Sequence, residues 1–265
     1  MDKKLTLLKI FNALAFAVMV TINALANILP INNISTGEVS DSYPNLFAPA
    51  PITFAIWAVI YLLLALFVLY SFGLFKGKKG YSSEAIKRIK YCFIISSVAN
   101  SAWIFAWHIQ MIGLTLILMA VIFATLLLAY IRIGSEKLSA KEKVFVKLPF
   151  SVYFGWITIA TIANITTYLV SIGWRGFNIA EPVWMIIIVV AGLLIGGATT
   201  IIKKDVAYGL VIVWAYAGIL IKHLSQSGFA GEYTGVIITV SASLVLMAAG
   251  VVLAAAKQMK QAKNQ

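Results

Sequence analysis

Long apolar runs, separated by short polar and basic segments, dominate the sequence. Each run reaches about 20 residues, the length with which an α-helix crosses a bilayer. The chain is 62% hydrophobic and only 11% charged, whereas soluble domains carry about 25% charged residues. The pattern therefore predicts an all-α polytopic membrane protein with eight transmembrane helices, at about residues 6–29, 51–74, 88–109, 111–133, 146–171, 182–202, 206–224 and 233–256.

The basic residues predict the orientation of these spans. With eight spans, every Lys and Arg except Arg175 and Lys222 falls on one side of the membrane. Positive charge marks the cytoplasmic side, so both termini are expected there. The strong use of Lys over Arg fits an AT-rich bacterial genome, so a bacterial cytoplasmic membrane is expected. The net charge of +12 is thus explained by contact with a lipid bilayer, and no nucleic-acid partner is expected.

Two parts of the N-terminal region, the first span and the connection that follows it, can each be interpreted in two ways. The first run follows Lys3 and Lys4 and resembles a secretory signal, but its length and its Asn12 and Asn23 favour an uncleaved span that packs against neighbours. The acidic connection at about residues 30–50 lies on the non-cytoplasmic side. A connection of this length is either a lid over a binding site or a plain tether.

Aromatic and amide side chains recur at steps of three and four residues on three of the spans, which places each set on one helix face. An amide that faces lipid has no hydrogen-bond partner, so these faces are expected to point at one another around a shared aromatic pocket. The predicted ligand-binding residues are Phe54, Trp57 and Tyr61 on the second span, Asn100, Trp103 and Trp107 on the third, and Tyr153, Trp156, Ala160 and Asn164 on the fifth.

These residue types also have structural interpretations. Trp and Tyr gather at the membrane interface, which explains Trp107 well. Trp57 and Tyr61 lie about 9 and 15 Å into their span, too deep for that belt. Asn100 either contacts a ligand or only bonds to another helix. Ala160 either leaves room for a flat ligand or lets another helix approach closely.

The predicted spans contain few side chains that could bind a transported ion or a metal. No Asp or Glu lies clearly inside a span, which argues against a proton- or sodium-coupled transporter. With one cysteine, Cys92, and two separated histidines, His108 and His223, neither a disulfide nor a zinc site is expected. Large ring surfaces with a few hydroxyl and amide groups suit a flat, largely apolar ligand that is held by stacking.

Three blocks of sequence carry the motifs of a known family. They are a proline pair followed by Trp and Tyr, an Asn-x-x-Trp motif, and a Tyr-x-x-Trp motif followed by Asn. In this chain they read Pro49-Ala50-Pro51-Ile52-Thr53-Phe54-Ala55-Ile56-Trp57 with Tyr61, Asn100-Ser101-Ala102-Trp103, and Tyr153-Phe154-Gly155-Trp156 with Asn164. Over residues 1–171 the chain resembles the translocator protein/tryptophan-rich sensory protein (TspO/MBR) family. The Lys and Trp usual in that family's first loop are absent here.

The resemblance implies a five-helix transmembrane domain at residues 1–171, which leaves residues 172–265 as a three-helix transmembrane extension with a basic cytoplasmic tail. It also implies a pocket for porphyrins, other tetrapyrroles or sterol-like lipids, roofed by the first loop. A tetrapyrrole would be a ligand here, and no resident cofactor or metal is predicted. The protein is expected either to form a homodimer or to use its three-helix extension to cover the five-helix domain in place of a partner subunit.

We therefore expect a membrane protein that binds a hydrophobic aromatic small molecule, tetrapyrrole-like or lipid, for sensing or transport. The alternative is an uncoupled small-solute permease or channel with Asn23, Asn100 and Asn164 as a polar path. Whether the protein is an enzyme stays open: the resemblance suggests light- or oxygen-dependent porphyrin breakdown, but no catalytic triad or phosphate loop is visible. An accessory subunit that docks another membrane protein is a further alternative.

Overall fold

The computed structural model describes residues 3–29, 31–75, 84–89, 91–136 and 138–263, and the regular secondary structure of these residues is entirely helical. The long helices are α1 (Lys3–Ile28), α2 (Ile56–Ser71), α3 (Cys92–His108), α4 (Ile112–Gly134), α5 (Leu148–Ser171), α6 (Glu181–Lys203), α7 (Val206–Leu224) and α8 (Thr234–Lys263). Shorter helical segments are Ile31–Asn33, Thr36–Asp41, Pro51–Ala55, Glu84–Ile89, Ala140–Glu142, Lys143–Lys147 and Gly176–Asn178.

The prediction of an all-helical membrane protein is confirmed. Among the described residues, seven helical stretches are long and apolar enough to cross a bilayer. The third predicted span is not among them, because α3 has only 17 residues. A helix of that length spans about 25 Å, at the short end of the transmembrane range. The predicted count of eight spans is therefore approximate.

Local chemistry explains where several helices begin and end. Pro149 has no N–H and its ring crowds the preceding turn, so the chain runs as a wider π-helical segment, Lys143–Lys147, just before α5. Pro182 occupies the first turn of α6, where the missing N–H costs nothing. The Asp205 carboxylate accepts a hydrogen bond from the Tyr208 N–H at 3.2 Å and caps α7.

A tight turn joins α3 and α4, as the near-abutting third and fourth predicted spans require. Gln110 has a φ of 57°, a left-handed conformation that reverses the chain within two residues. The N–H of Met111 then donates to the carbonyl of Ala106 at 2.9 Å, which satisfies a free acceptor at the end of α3. The two helices consequently pack side by side.

The chain forms two compact units. The first comprises Met1–Val39 and Ile56–Ile157, and the second comprises Ser40–Ala55 and Thr158–Gln265. Helix α5 contributes its first part to one unit and its remainder to the other. The predicted division of the chain at residue 171 is a separate proposition and stays a prediction.

In the first unit, α1 packs on α2 and α3, and α3 packs on α4. Phe67, Phe93 and Phe150 form a buried cluster in which each pair of rings meets edge to face, with centroids 5.1–5.8 Å apart. Edge-to-face contact places the positive ring edge against the negative ring face, which adds stability beyond the burial itself. This cluster ties α2, α3 and α5 together.

In the second unit, α6, α7 and α8 pack on one another, and Pro51–Ala55 packs on α7. Glycines make the close approach possible. A Cβ on Gly196 would lie 3.2 Å from the Ile212 side chain, and a Cβ on Gly209 would lie 2.7 Å from Thr200. Small residues at helix contacts are the usual means by which membrane helices approach closely.

The orientation of the chain across the membrane remains a prediction. Several of the basic residues that support it, and the first residue of the predicted outer connection, lie outside the described residues. They are Lys76, Lys78, Lys79, Lys90, Lys137 and Pro30.

Candidate functional site

Four aromatic residues of the first unit come together from two helices. The Trp57 ring on α2 stacks on Tyr61 with centroids 5.5 Å apart. The same indole meets Tyr153 and Trp156 of α5 edge-on, at 5.9 and 6.2 Å. We call Trp57, Tyr61, Tyr153 and Trp156 the aromatic cluster. The predicted faces of the second and fifth spans therefore meet, and their rings contact one another directly.

Several polar atoms on the predicted faces of α2, α3 and α5 are buried without a hydrogen-bond partner among the described residues. Among the described residues, the Tyr61 hydroxyl, the Tyr153 hydroxyl and the Trp103 indole N–H have no hydrogen-bond partner. The Tyr61 hydroxyl lies near the Tyr153 hydroxyl. The Tyr153 hydroxyl also faces the Asn100 amide, but without a hydrogen bond of normal geometry. Each unpaired buried polar group costs about 1–3 kcal/mol, so this arrangement requires an explanation.

Asn100 has a structural partner. Its side-chain oxygen accepts a hydrogen bond from the Asn23 amide at 2.8 Å, and the same amide donates to the Met19 carbonyl at 2.9 Å. Both asparagines are buried, Asn100 at 1% and Asn23 at 6% exposure. Of the two interpretations of Asn100, the interhelical bond is present. This bond uses the Asn100 oxygen, and the Asn100 amide also lies beside the Tyr153 hydroxyl.

A double-mutant cycle tests this bond. We expect Asn23→Leu and Asn100→Leu each to lower the free energy of unfolding in mixed micelles, with a coupling of about 0.6–1.7 kcal/mol, the range seen between membrane helices. The control pair is Asn23→Leu with Thr125→Ala, because the bonds of Thr125 to the described residues all lie within its own helix. A coupling of zero between the two asparagines would show that the α1–α3 bond is not formed.

Trp107 and His108 hold the first part of the long connection. The Trp107 indole N–H donates to the Thr36 carbonyl at 3.0 Å, and the ring stacks on Trp103 at 5.0 Å. The His108 imidazole contacts the Ile104 carbonyl at 2.8 Å and the Thr36 hydroxyl at 3.4 Å. Trp107 therefore has a polar partner in the chain itself, and both ring nitrogens of His108 are engaged.

The other three predicted residues belong to the second unit. Phe54 lies half-buried in Pro51–Ala55, Ala160 is half-buried on α5, and Asn164 is buried one turn further on, at 3% exposure. The cavity of about 460 Å³ found in the second unit is lined by none of the ten predicted residues.

Sequence reasoning missed the docking of residues 40–55 on α7. The Trp214 indole donates to the Thr53 carbonyl at 2.9 Å, and the Ala50 N–H donates to the Gly218 carbonyl at 3.0 Å. Lys222 pairs with the Asp41 carboxylate at 3.6 Å. The signal in the sequence is the spacing of Trp214, Gly218 and Lys222 by four residues, which places them on one face of α7.

His223 adds a buried contact to this docking. Its Nε2 lies 2.9 Å from the Leu46 carbonyl. A carbonyl can only accept, so Nε2 carries the proton and donates. The ring is fully buried and packs on Phe229, with centroids 4.7 Å apart. Residues 40–55 are thus a folded segment of the second unit and not a loose tether.

Comparison with known proteins agrees with this architecture. The sequence model of the TSPO-like protein family matches residues 9–255. Comparisons with curated proteins and with solved structures gave no match. The matched range includes α6, α7 and most of α8, beyond residues 1–171, which carry the motifs of the resemblance. The chain therefore belongs to the TSPO-like protein family of polytopic membrane proteins.

Proposed function

We propose that the protein binds a flat, hydrophobic, aromatic small molecule at the aromatic cluster, in order to sense or to transport it. The ligand would enter beside Trp57 and replace ring–ring contacts with ring–ligand contacts. Stacking on indole and phenol rings tolerates a range of flat ligands, because every such ligand offers a π surface. A tetrapyrrole or a similarly flat lipid fits this chemistry.

The observation that carries the proposal is a set of unpaired polar atoms, two of which are hydroxyls of the aromatic cluster. The Tyr61 hydroxyl, the Tyr153 hydroxyl and the Trp103 indole N–H come from α2, α5 and α3, and all three are buried. A folded chain normally pairs such groups or places them in water. A bound ligand that supplies hydrogen-bond acceptors would remove this cost.

The chemistry of these groups narrows the ligand further. Indole N–H groups only donate, and tyrosine hydroxyls donate readily. No Asp or Glu lies among the ten predicted residues. The site therefore favours a ligand whose edge carries carbonyl, carboxylate or ring-nitrogen acceptors and whose body is apolar. It disfavours an inorganic cation, which needs several oxygen ligands.

Protoporphyrin IX is the probe that tests the proposal. Titration of the purified protein in detergent should quench Trp fluorescence in a saturable manner. Trp57→Phe and Trp156→Phe should each weaken binding about threefold to tenfold, since an aromatic pair contributes about 0.5–1.5 kcal/mol beyond its area. The double variant should lose saturable quenching.

The matched control is Trp214→Phe, which removes an indole that is 41% exposed and lies in the second unit outside the aromatic cluster, and this variant should keep the wild-type affinity. Quenching that does not saturate, or that the double variant retains, would end the proposal. Keeping one set of samples in the dark without oxygen separates binding from light-dependent breakdown of the porphyrin.

The permease alternative gains less support. Its polar path uses Asn23 and Asn100, and these amides bond to each other within the first unit. Asn164, the third member, lies on the part of α5 that belongs to the second unit. Flux of small solutes into liposomes that disappears in Asn100→Leu would favour a permease over the binding function.

A further inference from the structure

A second site, separate from the aromatic cluster, lies within the second unit. Its cavity of about 460 Å³ is bounded by residues 44–47, by the C-terminal part of α5, by the turn at residues 173–179 and by the first turns of α6. We call it the turn pocket. A volume of this size is typical of sites for small organic molecules.

Hydrogen bonds fix one wall of the turn pocket. The Trp184 indole N–H donates to the Gly176 carbonyl at 2.7 Å. Gly176 has a φ of 59°, and a Cβ at this position would lie 2.6 Å from the Trp184 nitrogen. Only glycine therefore allows this turn to close onto the indole. Trp174 packs on Trp184 with ring centroids 5.2 Å apart and extends the wall.

The opposite wall is also held in place. Leu46 and Phe47 are buried at 3% and 1% exposure, and the Leu46 carbonyl accepts a hydrogen bond from His223. The Asn45 side chain accepts from the N–H groups of Phe47 and Ala48 at 3.1 and 3.0 Å, which locks the local turn. Both walls thus exist before any ligand arrives, which lowers the cost of binding.

The lining contains one cationic and one anionic side chain. Arg175 and Glu181 both line the turn pocket, and no salt bridge joins them within the described part of the chain. The rest of the lining is mostly apolar, including Leu169, Val170 and Ile188. A complementary ligand carries both an anionic and a cationic group on an apolar body.

The position of the turn pocket identifies the source of such a ligand. Trp174 and Trp184 lie where α5 ends and α6 begins, and indoles at helix ends mark the headgroup level of a bilayer. The molecules present at that level are phospholipids. We propose that the turn pocket binds the headgroup end of one zwitterionic phospholipid, with its phosphate against Arg175, its ammonium group against Glu181 and the first part of its acyl chains along the apolar lining.

Native mass spectrometry tests this proposal. The protein is reconstituted in nanodiscs with equal amounts of phosphatidylethanolamine and phosphatidylglycerol and then released into mild detergent. We expect one tightly retained lipid per chain, predominantly phosphatidylethanolamine. Arg175→Gln should lower the retained lipid about fivefold, as expected for an ion pair with an exposed side chain. Glu181→Gln should shift the retained lipid toward phosphatidylglycerol, because it removes the carboxylate that repels an anionic headgroup.

The matched controls are Arg88→Gln and Glu136→Gln, which remove the same two charges from an ion pair of 3.0 Å in the first unit. These variants should leave the retained lipid unchanged. Equal retention of the two lipids by the wild type, or a Glu181→Gln variant that keeps the wild-type preference, would overturn the proposal. The result is independent of protoporphyrin binding, so the two proposals can fail separately.

Discussion

Replacing Gly218 by Ala should release residues 48–55 from α7 while leaving the remainder of the second unit folded. A Cβ on Gly218 would overlap the Thr53 side chain, whose Oγ1, Cγ2 and Cβ are its nearest neighbours. Thr53 is 1% exposed and cannot turn away freely. The segment must therefore move, and overpacking of this kind costs about 1–3 kcal/mol.

Hydrogen exchange measures this release directly. The Ala50 N–H donates to the Gly218 carbonyl, so its exchange rate reports whether the segment is docked. We expect this amide to exchange roughly tenfold to a hundredfold faster in the Gly218→Ala variant, which corresponds to about 1.4–2.7 kcal/mol. The amides within α6 and α8 should keep their wild-type rates.

Gly197→Ala provides the control for helix propensity. A Cβ at Gly197 would meet only the Met247 sulfur, at an ordinary contact distance of 3.7 Å. Alanine favours a helix over glycine by about 1 kcal/mol, so this variant should be neutral or slightly stabilised. Unchanged protection of Ala50 in Gly218→Ala would show that the packing of Thr53 on α7 is not what holds the segment.

The lengths of the apolar runs were enough to predict most helices of this fold. The predicted and observed bounds of α7 are both 206–224, since Asp205 and Ser225 are polar breaks at the two ends. The bounds of α8 differ for a physical reason. The apolar pattern ends near residue 256, but the helix continues to Lys263, because Lys and Gln favour a helix in water as well. Hydropathy detects the membrane part of a helix and not its continuation.

The candidate site could be predicted only in part. Steps of three and four residues correctly indicated that Trp57, Tyr153 and Trp156 lie on facing sides of their helices, since side-chain direction follows from helix geometry alone. The partner of Asn100 could not be predicted, because periodicity does not specify which neighbouring helix supplies an amide. The docking face of α7 was missed for the same reason: the spacing of Trp214, Gly218 and Lys222 marks one helix face but does not specify which segment docks on it.

Replacing Tyr61 and Tyr153 by Phe should stabilise the ligand-free protein and weaken its binding of protoporphyrin IX. Each substitution removes a buried hydroxyl that has no hydrogen-bond partner among the described residues and keeps the ring in place. Removal of such a group can raise the free energy of unfolding by about 1–3 kcal/mol. The same hydroxyls are the donors proposed for the acceptor edge of the ligand, so the affinity should fall about tenfold for the double variant.

A gain in stability together with a loss of porphyrin affinity distinguishes a ligand site from an ordinary hydrophobic core. Tyr216→Phe is the matched control, because the Tyr216 hydroxyl is buried but donates to the Val189 carbonyl at 2.7 Å. This control should lose about 1 kcal/mol of stability and leave porphyrin affinity unchanged. Stability is measured by unfolding in mixed micelles and affinity by Trp fluorescence. If Tyr61→Phe and Tyr153→Phe destabilise the protein as Tyr216→Phe does, the hydroxyls are already satisfied, and a bound ligand is not needed to explain their burial.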